Sequence, residues 1–219
     1  FGAPETRQQN LLAPLTITDS GQRYFEKKKP VTFEGLVEFL ALDPQNPSSI
    51  YSCLKWAREN AHAVRWQITS EMWETLNSTW LEMKRVRKGD LAGGGATRFF
   101  DWVKERSHLF RGATYGTLQR NDAYCFIRLG TFLERADNTA RILSVKTQVD
   151  PTEGTNLVDD YYRLGAVLRS VSALEAYRDT YRDAIDADRV SELLIFNSRV
   201  PRSLHFSLSS AMVSLLIYF

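Results

Sequence analysis

The stretch LGTFLERADNTARIL, Leu129 to Leu143, decides the fold class. At about 100° per residue, Leu129, Phe132, Leu133, Ala136, Ala140 and Leu143 fall on one face, the period of a helix and not of a strand. Glu134, Asp137 and Arg141 share a second stripe with Gly130, bordered by Ile127 and Val145, while Arg128, Arg135 and Lys146 gather on a third. A helix apolar on more than one side is predicted to be central, with its carboxylates partly buried and therefore paired or used. Two readings follow. In the first, Asp137 and Arg141 form an i,i+4 pair and Glu134 bonds a neighbouring helix. In the second, the stripe is a carboxylate site in which a buried glutamate serves as general base and Arg141 orients an anionic substrate.

Helical punctuation continues outward from this stretch, without Asn-Gly hairpins or sustained period-two alternation, so the chain reads as an all-α bundle of several helices. Asn46-Pro47 reads as a helix start, running to about Ile68 with Ile50, Cys53, Leu54, Ala57, Ala61, Val64 and Ile68 as its stripe. The next helix, Glu71 to Lys88, has acids in its first turns and Lys84, Arg85, Arg87 and Lys88 in its last, opposing the macrodipole. Gly93-Gly94-Gly95 reads as a flexible connector, since no Lys-Ser/Thr follows it. Further helices are predicted at about 97–111, 121–149, 157–171, 172–182 and 189–196, with a last one from Pro201. Ser172-Ala-Leu-Glu175 reads as a capping box that restarts the chain.

An internal echo joins distant parts of the chain. FLALDPQNPSSIYSCL, Phe39 to Leu54, aligns with LLIFNSRVPRSLHFSL, Leu193 to Leu208, at a constant offset of 154: Leu40/Leu194, Pro47/Pro201, Ser49/Ser203 and Leu54/Leu208 coincide. A short helix, a turn and a Pro-initiated helix thus occur twice, which points to a duplicated helical unit with pseudo-repeats at about 1–92 and 97–219 of a single domain. The chain starts at Phe1 and not at Met, and the offset places the first copy of Leu133 to Arg141 before residue 1. The expectation is an internal fragment of a longer protein, with apolar surface near both ends and a tendency to form homo-oligomers.

The 28 basic and 26 acidic residues balance to +2, which leaves no broad field for neutralising many phosphates and argues against nucleic acid. Cys53 and Cys125 lie far apart in apolar helical contexts, suiting buried reduced thiols of a cytoplasmic protein. The apolar run Ala211 to Phe219 is about half the length that spans a bilayer, so no membrane is expected.

A second carboxylate needs explaining. Glu59 points away from the Pro47 helix's stripe, yet its helical neighbours are Trp56, Ala63, Trp66, Lys55 and His62. Either this face packs on another helix layer or aromatic walls surround a carboxylate in a cleft. Glu59-Asn60-Ala61-His62 has the Glu-x-x-His spacing of di-iron bundles, but neither His108 nor His205 has a Glu three residues before it, so neither a metal nor another cofactor is assigned. Ser48, Ser49 and Ser203 follow helix-initiating prolines and read as local caps, not nucleophiles.

The residues LG-x-x-x-ERA-x-NTAR at Leu129 to Arg141, NPSSI at Asn46 to Ile50, ARENA at Ala57 to Ala61, WE-x-LN at Trp73 to Asn77, LRS-x-SALEAY at Leu168 to Tyr177 and PRSL at Pro201 to Leu204 together resemble the bacterial alpha-E domain family. The resemblance covers nearly the whole chain. It implies an all-helical protein encoded beside circularly permuted ATP-grasp ligases and transglutaminase-like proteins, and hence a part in peptide or amide-bond chemistry. The glutamates of the family motifs fall on Glu134 and Glu59, the catalytic candidates, with Asp137, Asn138, Arg141, Asn60, Trp56 and Trp66 as substrate-binding candidates. His62 stands where the family usually has Arg. The expectation is a helical partner of such a ligase, with a carboxylate cleft for an amine-bearing or peptide substrate. A non-catalytic interaction scaffold is the alternative, and a metal-dependent enzyme a distant third.

Overall fold

The computed structural model describes residues 4–27, 30–146 and 157–218. Among them the regular structure is helical: α1 (Pro4–Ile17), α2 (Gly21–Glu26), α3 (Phe33–Ala41), α4 (Ile50–Ala63), α5 (Ser70–Met83), α6 (Gly95–Thr117), α7 (Asp122–Lys146), α8 (Leu157–Ser170), α9 (Leu174–Tyr181), α10 (Ala187–Phe196) and α11 (Leu204–Tyr218), with short 3-10 turns at Arg65–Gln67 and Lys88–Leu91. The last residues of the predicted 121–149 helix, 147–149, lie outside the described residues. The chain divides into two compact units, Thr18–Tyr124 and Phe1–Ile17 with Cys125–Phe219.

In the Thr18–Tyr124 unit, the starts of α3, α4 and α5 are set by side-chain caps. Thr32 accepts from the Gly35 amide at 3.1 Å, Ser49 from Ser52 at 3.1 Å and Thr69 from Met72 at 3.3 Å, each satisfying a first-turn N–H that the helix itself leaves unbonded. α5 buries Met72, Leu76, Thr79, Trp80 and Met83, a helical stripe that meets Val37 and Ala41 of α3 and Ala96 and Phe99 of α6. Asn46-Pro47 does not open α4. Asn46 is buried, its Nδ2 donating to the Phe39 carbonyl at 3.2 Å and its Oδ1 accepting from Ser48 at 3.1 Å, so Pro47 and Ser48 belong to a turn and Ser49 is the cap. α4 ends at Ala63, where Val64 leaves helical geometry, so Ile68 falls beyond it. Gly95 is more than a connector: a Cβ there would stand 2.0 Å from the Asp90 carbonyl oxygen, so only glycine lets α6 start against the preceding turn. Cys53 is exposed and Cys125 buried, which corrects the expectation of two buried thiols.

The second unit is built on Leu143, Leu164, Val167, Leu168, Val171, Ala173, Leu174, Tyr177, Val190, Leu193, Leu194 and Val200. The predicted restart near Ser172 is present, made by a left-handed backbone at Ser172 (φ 53°) and not by a capping box; Ala173 precedes the first helical residue and provides no side-chain cap. Asp186 caps α10, accepting from the Arg189 amide at 2.9 Å.

Matched features recur along the chain. α1 and α8 are both 14 residues long and start 153 residues apart, and the left-handed residues that follow them, Asp19 and Ser172, keep that spacing. From the caps Thr32 and Asp186 onward the spacing is 154. The turn before α4 shares three bonds with the turn before α11: Ser49 Oγ donates to the Asp43 carbonyl as Ser203 Oγ does to Asn197, and Ser203 accepts from Phe206 at 3.0 Å as Ser49 does from Ser52. The Gln45 amide donates to the Asp43 side chain at 2.9 Å, and Arg199 to that of Asn197 at 2.8 Å. Ser49 and Ser203 are therefore caps, as their position behind a proline predicts.

Candidate functional site

α7 is held by a stripe slightly different from the predicted one. Phe132, Ala136, Thr139 and Leu143 are buried, whereas Leu133 and Ala140 are exposed. Thr139 takes the inward position because its hydroxyl donates to the Arg202 carbonyl at 2.8 Å, which satisfies a buried polar group and ties α7 to the turn before α11. Phe132 meets Phe206 of α11 edge-on at 6.0 Å. The guanidinium groups of Arg128 and Arg135 lie over the Phe132 ring at 5.2 and 5.3 Å. Within the Glu134-Arg135 pair the two side chains thus have opposite tasks: Arg135 braces the core aromatic, and Glu134 faces solvent.

The outer face of α7 carries Phe126, Gly130, Leu133, Glu134 and Asp137, all exposed, which overturns the expectation that its carboxylates are partly buried. Asp137 accepts from Arg141 Nε at 2.9 Å, the i,i+4 pair of the structural reading. Glu134 is in no ion pair or hydrogen bond among the described residues, so the neighbouring-helix bond of that reading is not made. A Cβ on Gly130 would meet nothing within 4 Å, so the space beside Glu134 is open. Asn138 is half-buried on the flank.

The second set of candidates lies in the Thr18–Tyr124 unit, on and after α4. Glu59 accepts from Arg58 Nη1 at 2.7 Å. Arg58, which sequence reasoning passed over, is the organiser here: it also donates from Nε to Asn77 Oδ1 at 2.9 Å and stacks over Trp73 at 5.5 Å. Arg65 lies over the same indole at 5.8 Å, and the His62 ring is 5.7 Å from it. Trp56 is 57 % exposed, Trp66 is 78 % exposed, and Asn60 is exposed as well. The aromatic side chains therefore flank Glu59 on an open surface and do not wall a cleft. A cavity of about 220 Å³ in this unit is lined by Tyr24, Lys27, Gly35, Glu38, Phe39, Leu42, Asp43 and Pro44, none of them a sequence candidate.

A charged cluster at the α9–α10 loop was also missed from the sequence. Arg189 bonds Asp183 at 2.7 Å and approaches Asp186 at 3.3 Å, and the Tyr181 hydroxyl donates to Glu192 at 3.1 Å. Burial, reinforced by the Glu192 carboxylate, pushes the Tyr181 hydroxyl up to about 12, while the Arg189 hydrogen bond holds Asp183 below the ordinary 3.8. Its signal was available: Asp186 followed three residues on by Arg189 at a helix start.

Fold and site together define an all-α domain that presents carboxylates on an exposed helix face. The chain belongs to the Alpha-E family, whose model, a predicted alpha-helical domain with a conserved ER motif, matches residues 3–216. Comparison with curated proteins and with solved structures finds no match. Glu-Arg occurs at Glu105-Arg106 and at Glu134-Arg135. Arg106 bonds Glu82 at 2.8 Å, beside the Trp102 indole N–H that donates to the same carboxylate at 2.9 Å. Among the described residues, no group of three or more His, Cys, Asp or Glu side chains is placed to hold a metal ion, and no helix is long and apolar enough to cross a membrane.

Proposed function

We propose that this domain is a binding partner in a cytoplasmic, ATP-grasp-linked system that forms or modifies peptide or amide bonds, and that the outer face of α7 holds its amine-bearing or peptide substrate. The observation that carries the reading is Glu134: an exposed carboxylate in no ion pair among the described residues, next to the open space over Gly130, on a helix face that also exposes Phe126 and Leu133. A carboxylate with apolar neighbours and no internal cation suits an ammonium group carried on an apolar stem. Asp137, steered by Arg141, adds a second acceptor, and Asn138 an amide on the flank. Glu59, Asn60, Trp56 and Trp66 form a separate surface in which the carboxylate is already answered by Arg58.

An open surface favours binding over enclosed catalysis, since a general base works best where water is excluded. The ligase or transglutaminase-like partner would then supply the chemistry, and this chain the substrate. We further read the matched series α1–α4 and α8–α11 as an internal duplication. The test is co-purification of the chain with an ATP-grasp ligase of the kind the family accompanies, followed by ATP turnover with and without it. Glu134→Gln should abolish the stimulation while Glu59→Gln leaves most of it. Equal stimulation by parent and Glu134→Gln would end the proposal.

A further inference from the structure

The cavity of about 220 Å³ in the Thr18–Tyr124 unit lies between the end of α2 and the side of α3 with the turn that follows it. Tyr24, Phe39 and Leu42 give it an apolar wall, and Lys27, Glu38 and Asp43 supply its charges. Lys27 is already engaged: its ammonium is paired with Asp43 and reaches Gln45 Oε1 at 3.4 Å. Those two charges cancel, which leaves Glu38. Its one ion-pair partner among the described residues is Lys88, at 2.6 Å, whose side chain is 71 % exposed. A cation held from the solvent side in that way is screened and easily displaced.

The second unit shows how such a carboxylate is answered from within. The caps Thr32 and Asp186 each accept from the amide three residues on, which makes Arg189 the counterpart of Gly35 and Glu192 that of Glu38, 154 residues apart. Glu192 receives the Tyr181 hydroxyl at 3.1 Å, and the Arg189 guanidinium lies over the Tyr181 ring at 5.7 Å. That unit gives its glutamate an internal donor and places a long side chain at the neighbouring position. In the Thr18–Tyr124 unit the neighbouring position is Gly35, which has no side chain, and Glu38 lines a cavity with no internal donor bonded to it among the described residues except the exposed Lys88.

We infer that this cavity binds a small organic cation, a primary ammonium or guanidinium on a short apolar stem, whose N–H groups bond Glu38 in place of Lys88 and whose stem lies along Phe39 and Leu42. Charge and size select this class. One cation against two carboxylates leaves the lining negative, which disfavours an anion and favours a charge-assisted N–H donor. A volume below the roughly 300 Å³ at which drug-sized sites begin limits the occupant to a short stem. The site lies in a different unit from the α7 face and does not depend on it.

Butylammonium and butylguanidinium are the probes, titrated into the full chain and followed by NMR at the Gly35 and Phe39 amides. Saturable shifts are expected with both, and none with butyrate or with tetramethylammonium, which has no N–H to give. Glu38→Gln should weaken binding by ~tenfold or more, the equivalent of 1.4 kcal/mol. Lys88→Met, which removes the competing cation and leaves Glu38 in place, should strengthen it by about two- to fivefold. Glu105→Gln, at an exposed carboxylate of the same unit, should change nothing. N-acetyl-lysine methylamide tests the other source of the same chemistry: binding tighter than that of butylammonium assigns the site to a side chain of a peptide, and weaker binding to a free amine. Absence of saturable shifts overturns the inference, as does equal weakening by Glu105→Gln or a Lys88→Met variant that binds no better. Amine binding that survives Glu38→Gln and disappears with Glu134→Gln would also overturn it, placing the cation on α7.

Discussion

Tyr24 and Tyr177, one in each unit, make matching contacts. Each is fully buried, one turn into the short helix that follows a left-handed residue, and each donates its hydroxyl to a backbone carbonyl of the loop leading to the next helix: Tyr24 to Pro30 at 3.0 Å, Tyr177 to Ala184 at 2.9 Å. Tyr177 Oη also accepts from the Asp186 amide at 3.2 Å, so this one hydroxyl holds two backbone groups of the α9–α10 loop just before α10. A phenylalanine would fill either space and leave those backbone groups unanswered. Tyr177→Phe should therefore cost about 1 to 3 kcal/mol and Tyr24→Phe about 1 kcal/mol in urea unfolding, the scale of buried polar groups deprived of partners. Equal and negligible losses would show that the hydroxyls do not brace the loops.

Two glycines should respond in opposite directions. Gly95→Ala drives a Cβ into the Asp90 carbonyl and should destabilise by at least about 1 to 3 kcal/mol, the cost of overpacking against backbone. Gly130→Ala meets open space in mid-helix and should stabilise by about 0.5 to 1 kcal/mol through the better helix propensity of alanine. If the α7 face binds substrate, that gain in melting temperature should come with weaker binding; a stabilised and fully active Gly130→Ala would move the contact away from Gly130.

The α9–α10 loop should be sensitive to pH at both extremes. The folded chain holds the Tyr181 proton more tightly than the unfolded chain, because its value lies at about 12 and not 10.0; this contribution is complete below about pH 10 and lost as pH rises through about 12. Asp183 is depressed below 3.8 by Arg189, so its contribution is present above the unfolded value and lost as pH falls through the lower folded one. The stability advantage of the parent over Tyr181→Phe should stay constant to about pH 10 and then shrink, and that over Asp183→Asn should shrink only in acid. Denaturant midpoints across pH 2 to 12 measure both, and flat differences across the whole range would contradict the geometry.

Glu134 and Phe132 separate function from stability on a single helix. Glu134 is exposed, so Glu134→Gln should leave unfolding within about 0.5 kcal/mol of the parent. Phe132 is buried between Arg128, Arg135 and Phe206, so Phe132→Ala should cost about 3 to 5 kcal/mol. Thermal unfolding and partner stimulation read on the same preparation check the pair; a Glu134→Gln variant as destabilised as Phe132→Ala would place Glu134 in the fold and not at a binding surface.

Periodicity and caps determined a good deal of this protein without coordinates. The helical repeat of Leu129 to Leu143 identified an all-α chain, the offset between Pro47 and Pro201 located two equivalent turns, and the Asp137–Arg141 pair followed from i,i+4 spacing, because each of these depends only on residues close along the chain. What lay across the helix was decided elsewhere. Thr139 replaced Leu133 on the inner face because a carbonyl at Arg202, 63 residues on, was there to accept its hydroxyl. Glu134 went to solvent while Arg135 turned inward onto Phe132, a choice made by the aromatic packing with Phe206. Asn46 was drawn into the core by the Phe39 carbonyl, which shifted the start of α4 to Ser49. Helical period fixes which residues share a stripe, but which stripe faces inward depends on the long-range groups that complete it, and those exist only in the folded molecule.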